Sequence, residues 1–320
     1  MRAIKYGLMI AICGLAACAP AASPDNGPLT ASNPAANRTE APDIDFQKLY
    51  QTWFENVEPF RLIGDREQGI YFVGTRGLGM FFIPTAQGHI VIDGGMPGQG
   101  KQVWENIKTL GYDPADIKIL LNSHAHMDHS GGLAELKQLT GAKLLASEGD
   151  RSALEGGFYL GSEDDQSLKA PPVKVDRIIA EGETVTLGNV TLTAHITPGH
   201  SRGCTSWTMP VVQDGQSYQA LFFCSATVAA NRLVGPPQYE GIVADYRKTF
   251  AKTRDWAPDI FLSNHPEFFG MAEKQEKLAA GDPLAFVDKS GFPTFIRTME
   301  SWFEAALEKQ TLKYNAIMKD

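Results

Sequence analysis

The sequence predicts an α/β protein made of two β-sheets packed on each other, with helices on the outer faces. Two observations carry this expectation: strand patterns precede helix patterns twice along the chain, and the strands are short alternating or apolar runs bounded by Gly and Pro. A third observation fits it. Five of the seven histidines fall in compact motifs, and each motif follows a predicted strand.

Residues Ile44 to Phe60 place Phe46, Leu49, Tyr50, Trp53 and Phe54 at mixed helical spacing, which predicts a short amphipathic segment covering the body. The runs Gly69–Val73, Met80–Ile83 and His89–Ile92 predict a β-meander that ends in the turn Asp93-Gly94-Gly95. A helix over Lys101–Leu110, closed by Gly111, leads to a buried strand at Ile117–Leu121. After the histidine run that follows, Gly131-Gly132 opens a helix to Leu139. A strand at Lys143–Ala146 and a helix at Ser147–Leu154 come next. The second block has strands at Val173–Ile179, Thr184–Leu187, Val190–Ile196, Thr205–Val212 and Tyr218–Ser225. A helix at Ile242–Trp256, a strand at Asp259–Leu262 and a long helix from about Thr294 close the chain.

The first 18 residues carry Arg2 and Lys5, an apolar run and then small residues, the layout of a secretory signal. The run is too short to span a bilayer. Its end, Leu15-Ala16-Ala17-Cys18, resembles a bacterial lipobox, which would make Cys18 a lipidation site and anchor a periplasmic protein to the membrane. An ordinary cleaved signal is the alternative. Residues 19–42, rich in Ala, Pro, Ser, Asn and Thr, read as a flexible tether, and residues 43–320 as one catalytic domain, expected to be monomeric. With 29 cations against 37 anions the formal charge is −8, and no basic run is present, which argues against nucleic acid as a partner. Export leaves Cys204 and Cys224 as the cysteines of the body, and an oxidising compartment suggests a disulfide between them. That bond would close a loop of about 20 residues, on the order of 3 kcal/mol by chain entropy. Reduced, buried thiols are the alternative.

The chemistry concentrates in His124-Ala125-His126-Met127-Asp128-His129, Pro198-Gly199-His200 and Asn264-His265-Pro266. His124 and His126, two apart on an extended segment, can point the same way, while Asp128 and His129 lie across the following turn. One segment can therefore feed two metals. His124, His126 and His200 make a three-nitrogen zinc site with a position left for water, and Asp128, His129 and His265 would hold a second zinc ion. His89 and His195 lie within strand patterns and read as packing residues.

These motifs resemble the metallo-β-lactamase superfamily from about residue 60 to 300. The resemblance implies a four-layer αβ/βα sandwich of two mixed sheets with the metals at one edge. Glyoxalase II, ribonuclease Z and the lactonases place a bridging Asp at the end of the strand after the TPGH motif, where this chain reads Phe223-Cys224-Ser225-Ala226. His129 also departs from the subclass whose second zinc uses a cysteine. With His129 filling that site, Cys224 is expected in the disulfide rather than on zinc. What remains is similar to subclass B3, including Asp93-Gly94-Gly95-Met96-Pro97, Gly203-Cys204-Thr205-Ser206-Trp207 and Asp245 to Phe250, with Asp93 the best candidate to support a ligand.

The resemblance implies hydrolysis of penicillins, cephalosporins and carbapenems, and hence antibiotic resistance. Asp128 would orient the attacking water and take part in proton transfer. The hydroxyls of Ser225 and Thr227 would meet the substrate carboxylate. Asn231 stands where some members carry a tyrosine that stabilises the oxyanion, and Phe158 and Tyr159, between Gly156-Gly157 and Gly161, would form an apolar wall. Another binuclear hydrolase, such as a lactonase or esterase, and a non-catalytic zinc-binding lipoprotein are the alternatives.

Overall fold

A computed structural model describes residue 41 and residues 45–319. The expected signal, Cys18 and almost all of the tether lie outside the described residues. A seven-stranded sheet contains, in spatial order, β1 (Phe60–Ile63), β2 (Ile70–Phe72), β3 (Phe81–Thr85), β4 (Gly88–Ile92), β5 (Ile117–Leu121), β6 (Lys143–Ser147) and β7 (Arg177–Ile179). Its first four strands pair antiparallel and the rest parallel.

Parallel neighbours need crossovers. These are α2 (Gly100–Thr109) between β4 and β5, then α3 (Met127–Ser130) and α4 (Leu133–Thr140) between β5 and β6, with α5 (Glu148–Gly156) after β6. The opening helix α1 covers Phe46–Thr52. The second sheet runs β12 (Ile260–Ser263), β11 (Gln216–Phe223), β10 (Thr205–Gln213), β9 (Val190–Ile196) and β8 (Thr184–Leu187). It is antiparallel except between β11 and β12, which α6 (Ile242–Thr253) separates. The helices α7 (Met271–Ala279) and α8 (Gly291–Ile317) follow. Two mixed sheets with outer helices are therefore present, as the sequence predicts.

Strand alternation sorts the apolar side chains into two cores. Ile70 and Phe72 of β2, Phe81 and Ile83 of β3, and Ile90 and Ile92 of β4 face one core, where they meet Trp207, Met209 and Leu221 of the second sheet. Their neighbours Tyr71, Phe82 and Val91 point the other way, onto Val103 and Ile107 of α2 and Leu133 and Leu136 of α4. Among the described residues, no helix is long and apolar enough to cross a membrane.

Three elements differ from expectation. The opening helix stops at Thr52, and Phe60–Ile63 joins the sheet as β1. Ladder pairing begins only at Arg177, because the extended stretch before it makes single bonds, Val173 N–H to Leu154 O and Asp176 N–H to Leu144 O. Helix α7 was not foreseen, and only Met271 and Lys274 of its nine residues are buried, so its sequence carries little apolar period.

Candidate metal centre

Three loops at one edge of the sandwich bring the histidine motifs together. After β5 the backbone stays extended through His126 (φ −89°, ψ 150°), so His124 and His126 turn to the same side. Helix α3 then starts at once, with the Ser130 N–H and Oγ both donating to the His126 carbonyl (2.8 and 2.9 Å), and this turn carries Asp128 and His129. His200 follows β9 in a loop held by α6, where Thr249 Oγ1 donates to Pro198 O (2.6 Å). A Cβ on Gly199, whose φ is +135°, would sit 2.7 Å from the Tyr246 ring, so only glycine lets the loop lie this close. His265 follows β12.

The inward nitrogens crowd together. His200 Nε2 is 3.0 Å from His126 Nδ1 and 3.1 Å from His124 Nε2. His129 Nε2 is 3.3 Å from His265 Nε2 and 3.1 Å from Asp128 Oδ2, which is itself 3.6 Å from His265 Nε2. The hydrogen-bond network assigns the outward nitrogens as donors. His200 Nδ1 donates to Thr227 O (2.7 Å) and His265 Nδ1 to Gly77 O (3.0 Å). His124 Nδ1 lies between Ser123 Oγ (3.0 Å), whose own proton goes to Asp93 Oδ2 (2.7 Å), and Asn264 Nδ2 (3.3 Å). That leaves Nε2 of His200 and His265 as bare lone pairs pointed inward, the first of them 3.1 Å from His124 Nε2. Imidazole lone pairs gathered among further imidazoles and a carboxylate are the donor set of a metal ion, so these residues fit one. Ligand atoms of His124, His126 and His200, and of His124, Asp128 and His129, each fall within 4.8 Å of one another.

Electrostatics divide the cluster. Burial, reinforced by neighbouring imidazoles, pushes His124 and His126 well below the usual histidine range. Burial likewise takes His200 to about 4 and His265 to about 3. His129 goes the other way: burial would lower it, but the Asp128 carboxylate beside it raises it overall. Burial opposes ionisation of Asp128 too, and the charge and hydrogen bond of His129 outweigh it, holding Asp128 below the usual carboxylate range.

Asp93 supports the histidine loop. Its backbone adopts a positive φ of 65°. It accepts from the Ser123 N–H (2.7 Å), Ser123 Oγ (2.7 Å) and Asn122 Nδ2 (3.1 Å), and lies 3.8 Å from His129 Nδ1. Sequence reasoning missed a second buried carboxylate, Asp150, which accepts from the Ala125 N–H. It also missed Trp53 as part of the centre. That ring lies 5.9 Å from the His265 ring and lines the metal-side cavity. Trp53 lies in the amphipathic segment, and its size is the available signal.

The candidate substrate residues are placed unequally. Tyr159 stacks on the His126 ring (4.1 Å, 10°) and lines the cavity, whereas Phe158 packs against the core beneath the outer helices of the first sheet. Thr227 also lines the cavity. Ser225 Oγ lies 3.2 Å from Thr227 Oγ1, one step behind it. Asn231 is buried under Tyr159: its Oδ1 accepts from the Tyr159 hydroxyl (2.9 Å), and its Nδ2 lies 2.9 Å from His200 O and 3.2 Å from Tyr246 Oη. Its amide is thus occupied with the walls of the site. The cavity is small, about 40 Å³, with room for reacting atoms rather than a whole bicyclic molecule. His89 sits between the Phe82 and Tyr112 rings, and His195 bonds Thr208 Oγ1 (2.8 Å), both outside the cluster. Cys204 and Cys224 form a disulfide, with Cα atoms 5.8 Å apart.

Known proteins share this arrangement. Residues 80–212 match the profile described as "Metallo-beta-lactamase superfamily". The chain is 48% identical to BJP-1 of Bradyrhizobium japonicum, a subclass B3 metallo-beta-lactamase. The match covers 83% of this chain and 99% of that one, with a TM-score of 0.80. Native FEZ-1 metallo-beta-lactamase from Legionella gormanii is 35% identical, over 80% of this chain and 98% of that one, with a TM-score of 0.76. The hydroxyacylglutathione hydrolase of Rhodospirillum rubrum is 30% identical over 107 residues, 33% of this chain and 34% of that protein. The chain thus spans about a third of the length of that curated relative. By the histidine motifs, the two-sheet fold and these relatives, the chain belongs to the metallo-β-lactamase superfamily, in its subclass B3.

Proposed function

We propose that this protein is a zinc-dependent β-lactamase that hydrolyses the amide bond of penicillins, cephalosporins and carbapenems with two zinc ions. His124, His126 and His200 would hold the first ion, and Asp128, His129 and His265 the second. A tetrahedral zinc with bonds of about 2.0–2.1 Å keeps its donors roughly 3.3 Å apart. The contacting pairs, His126 with His200, His124 with His200, His129 with His265 and with Asp128, and Asp128 with His265, lie 3.0 to 3.6 Å apart, around that value. One observation carries the reading beyond the superfamily. The chain after β11 offers Cys224, Ser225 and Ala226 and no carboxylate, and Cys224 is spent in the disulfide, so the six donors must serve both ions by themselves.

When bound, zinc supplies Lewis acidity at the lactam carbonyl and makes water nucleophilic near neutral pH. Asp128, kept ionised by His129, would orient the attacking water and take part in its proton transfer. Thr227, oriented by Ser225, offers a hydroxyl to the substrate carboxylate. Tyr159 and Trp53 form apolar walls that limit water.

The export reading joins this proposal: residues 1–18 would act as a signal, Cys18 as the lipid anchor and residues 19–42 as a tether for a monomeric periplasmic enzyme. Incorporation of labelled fatty acid that is lost in Cys18→Ala would support it. Purified protein should hydrolyse nitrocefin and imipenem and leave an acyl-homoserine lactone untouched. Lactone hydrolysis without lactam turnover would instead establish the lactonase reading.

A further inference from the structure

We propose that Asp150 is a positioning residue for the three-histidine site, its carboxylate clamping the loop that carries His124 and His126 to the loop that carries His200. The proposal rests on the metal reading above.

Asp150 lies in the first turn of α5 and is 3% exposed. Its Oδ2 accepts from the Ala125 N–H (3.0 Å) and from Ser201 Oγ (2.9 Å), and its Oδ1 accepts from the Gly203 N–H (2.9 Å). Ala125 lies between His124 and His126, and Ser201 directly follows His200. One buried carboxylate therefore touches both loops within one residue of all three histidines.

The contact around it is backbone on backbone. A Cβ on Gly149 would meet Arg202 O at 2.7 Å, and one on Gly203 would meet Asp150 N at 2.3 Å. Ser147 Oγ adds a bond to Gly203 O (2.5 Å). Asp93 grips the same strand end from the other side: it takes the Ser123 amide just before His124, as Asp150 takes the Ala125 amide just after it. His124 is thereby fixed between two carboxylate-bound amides. The clamp ties the two loops together where His126 Nδ1 and His200 Nε2 lie 3.0 Å apart.

Asp150→Asn keeps the shape but replaces one acceptor with an N–H₂ group. Three donors converge on the two oxygens, so either amide orientation sets a donor against a donor. Zinc affinity of the purified full chain, measured by competition with a chromophoric chelator, should fall about 10- to 100-fold for one zinc and stay unchanged for the other. The loss should persist in a His265→Ala background and vanish in a His200→Ala background, which assigns it to the three-histidine site. Ser201→Ala, which removes one of the three donors and keeps the Asp150 carboxylate on the Ala125 and Gly203 amides, should give the same selective loss at smaller size. It carries the test if Asp150→Asn fails to fold. Wild-type affinities in both variants, or an equal fall at both sites, would overturn the role of Asp150. A wild-type chain that binds no zinc would overturn the metal reading itself.

Discussion

His124, His126 and His200 meet as three imidazoles that burial keeps neutral, whereas Asp128 and His129, carried by the loop after β5, and His265, after β12, include a carboxylate and a histidine that stabilise each other's charged forms. The first group is in its ligand form without any proton leaving. The second must shed the proton that Asp128 encourages on His129. The scaffolds differ in parallel. Asp150, the Thr227 carbonyl and α6 brace the first group, the Gly77 carbonyl and Trp53 border the second, and Asp93 reaches both, through Ser123 beside His124 and at 3.8 Å from His129 Nδ1. A site that is neutral and braced suits a metal that stays. One that holds the charged pair suits the proton traffic of hydrolysis.

The largest expected effect comes from removing that charge. Asp128→Asn should lower kcat by about 10²–10⁴-fold with an unchanged circular dichroism spectrum, and should weaken the second zinc far more than the first. Equal loss of both zincs would erase the distinction between the halves. Next, Cys204→Ser with Cys224→Ser should cost about 3 kcal/mol in denaturant unfolding. Cys204 directly follows the Gly203 held by Asp150, so the disorder should reach the His200 loop before the His265 loop, read by amide exchange.

Acid should then separate the halves. His200 and His265 have folded pKa values lowered to about 4 and 3, so their neutral forms survive well below pH 6.5. Their stabilising effect is full above their unfolded value, declines below it and is gone once pH has fallen through those numbers. His129 has a raised folded pKa, so its effect on the fold is full below pH 6.5 and fades as pH rises through the raised folded value. Dialysis from about pH 7.5 to about pH 5.5 should therefore release one zinc, with a slope near tenfold per pH unit, and retain the other. Simultaneous release of both would break the comparison. Thr227→Ala, the mildest change, removes a hydroxyl but leaves the carbonyl that holds His200. About 1 kcal/mol, roughly fivefold in KM for carboxylate-bearing lactams, is expected, with kcat little changed.

The order of elements was legible because alternation in β2 to β4 is strict and both faces are covered by core. The gathering of these six residues was legible because each motif sits where a strand ends. Asp150 was not, since a lone Asp in a first helical turn looks like an ordinary helix-start residue, and only the fold brings it to Ala125 and Gly203. Asn231 illustrates the converse. Its position suggested contact with substrate, and the structure commits its amide to Tyr159 and the His200 loop. Local pattern reports which face a residue takes, and side-chain partners from distant segments are set by tertiary contact.

The most direct test is reconstitution. Protein stripped with a chelator should not turn over a penicillin, a cephalosporin or a carbapenem, and stepwise zinc should restore hydrolysis as two ions bind per chain. Turnover that persists without metal, or two zincs bound with no hydrolysis of any of the three, would contradict the account.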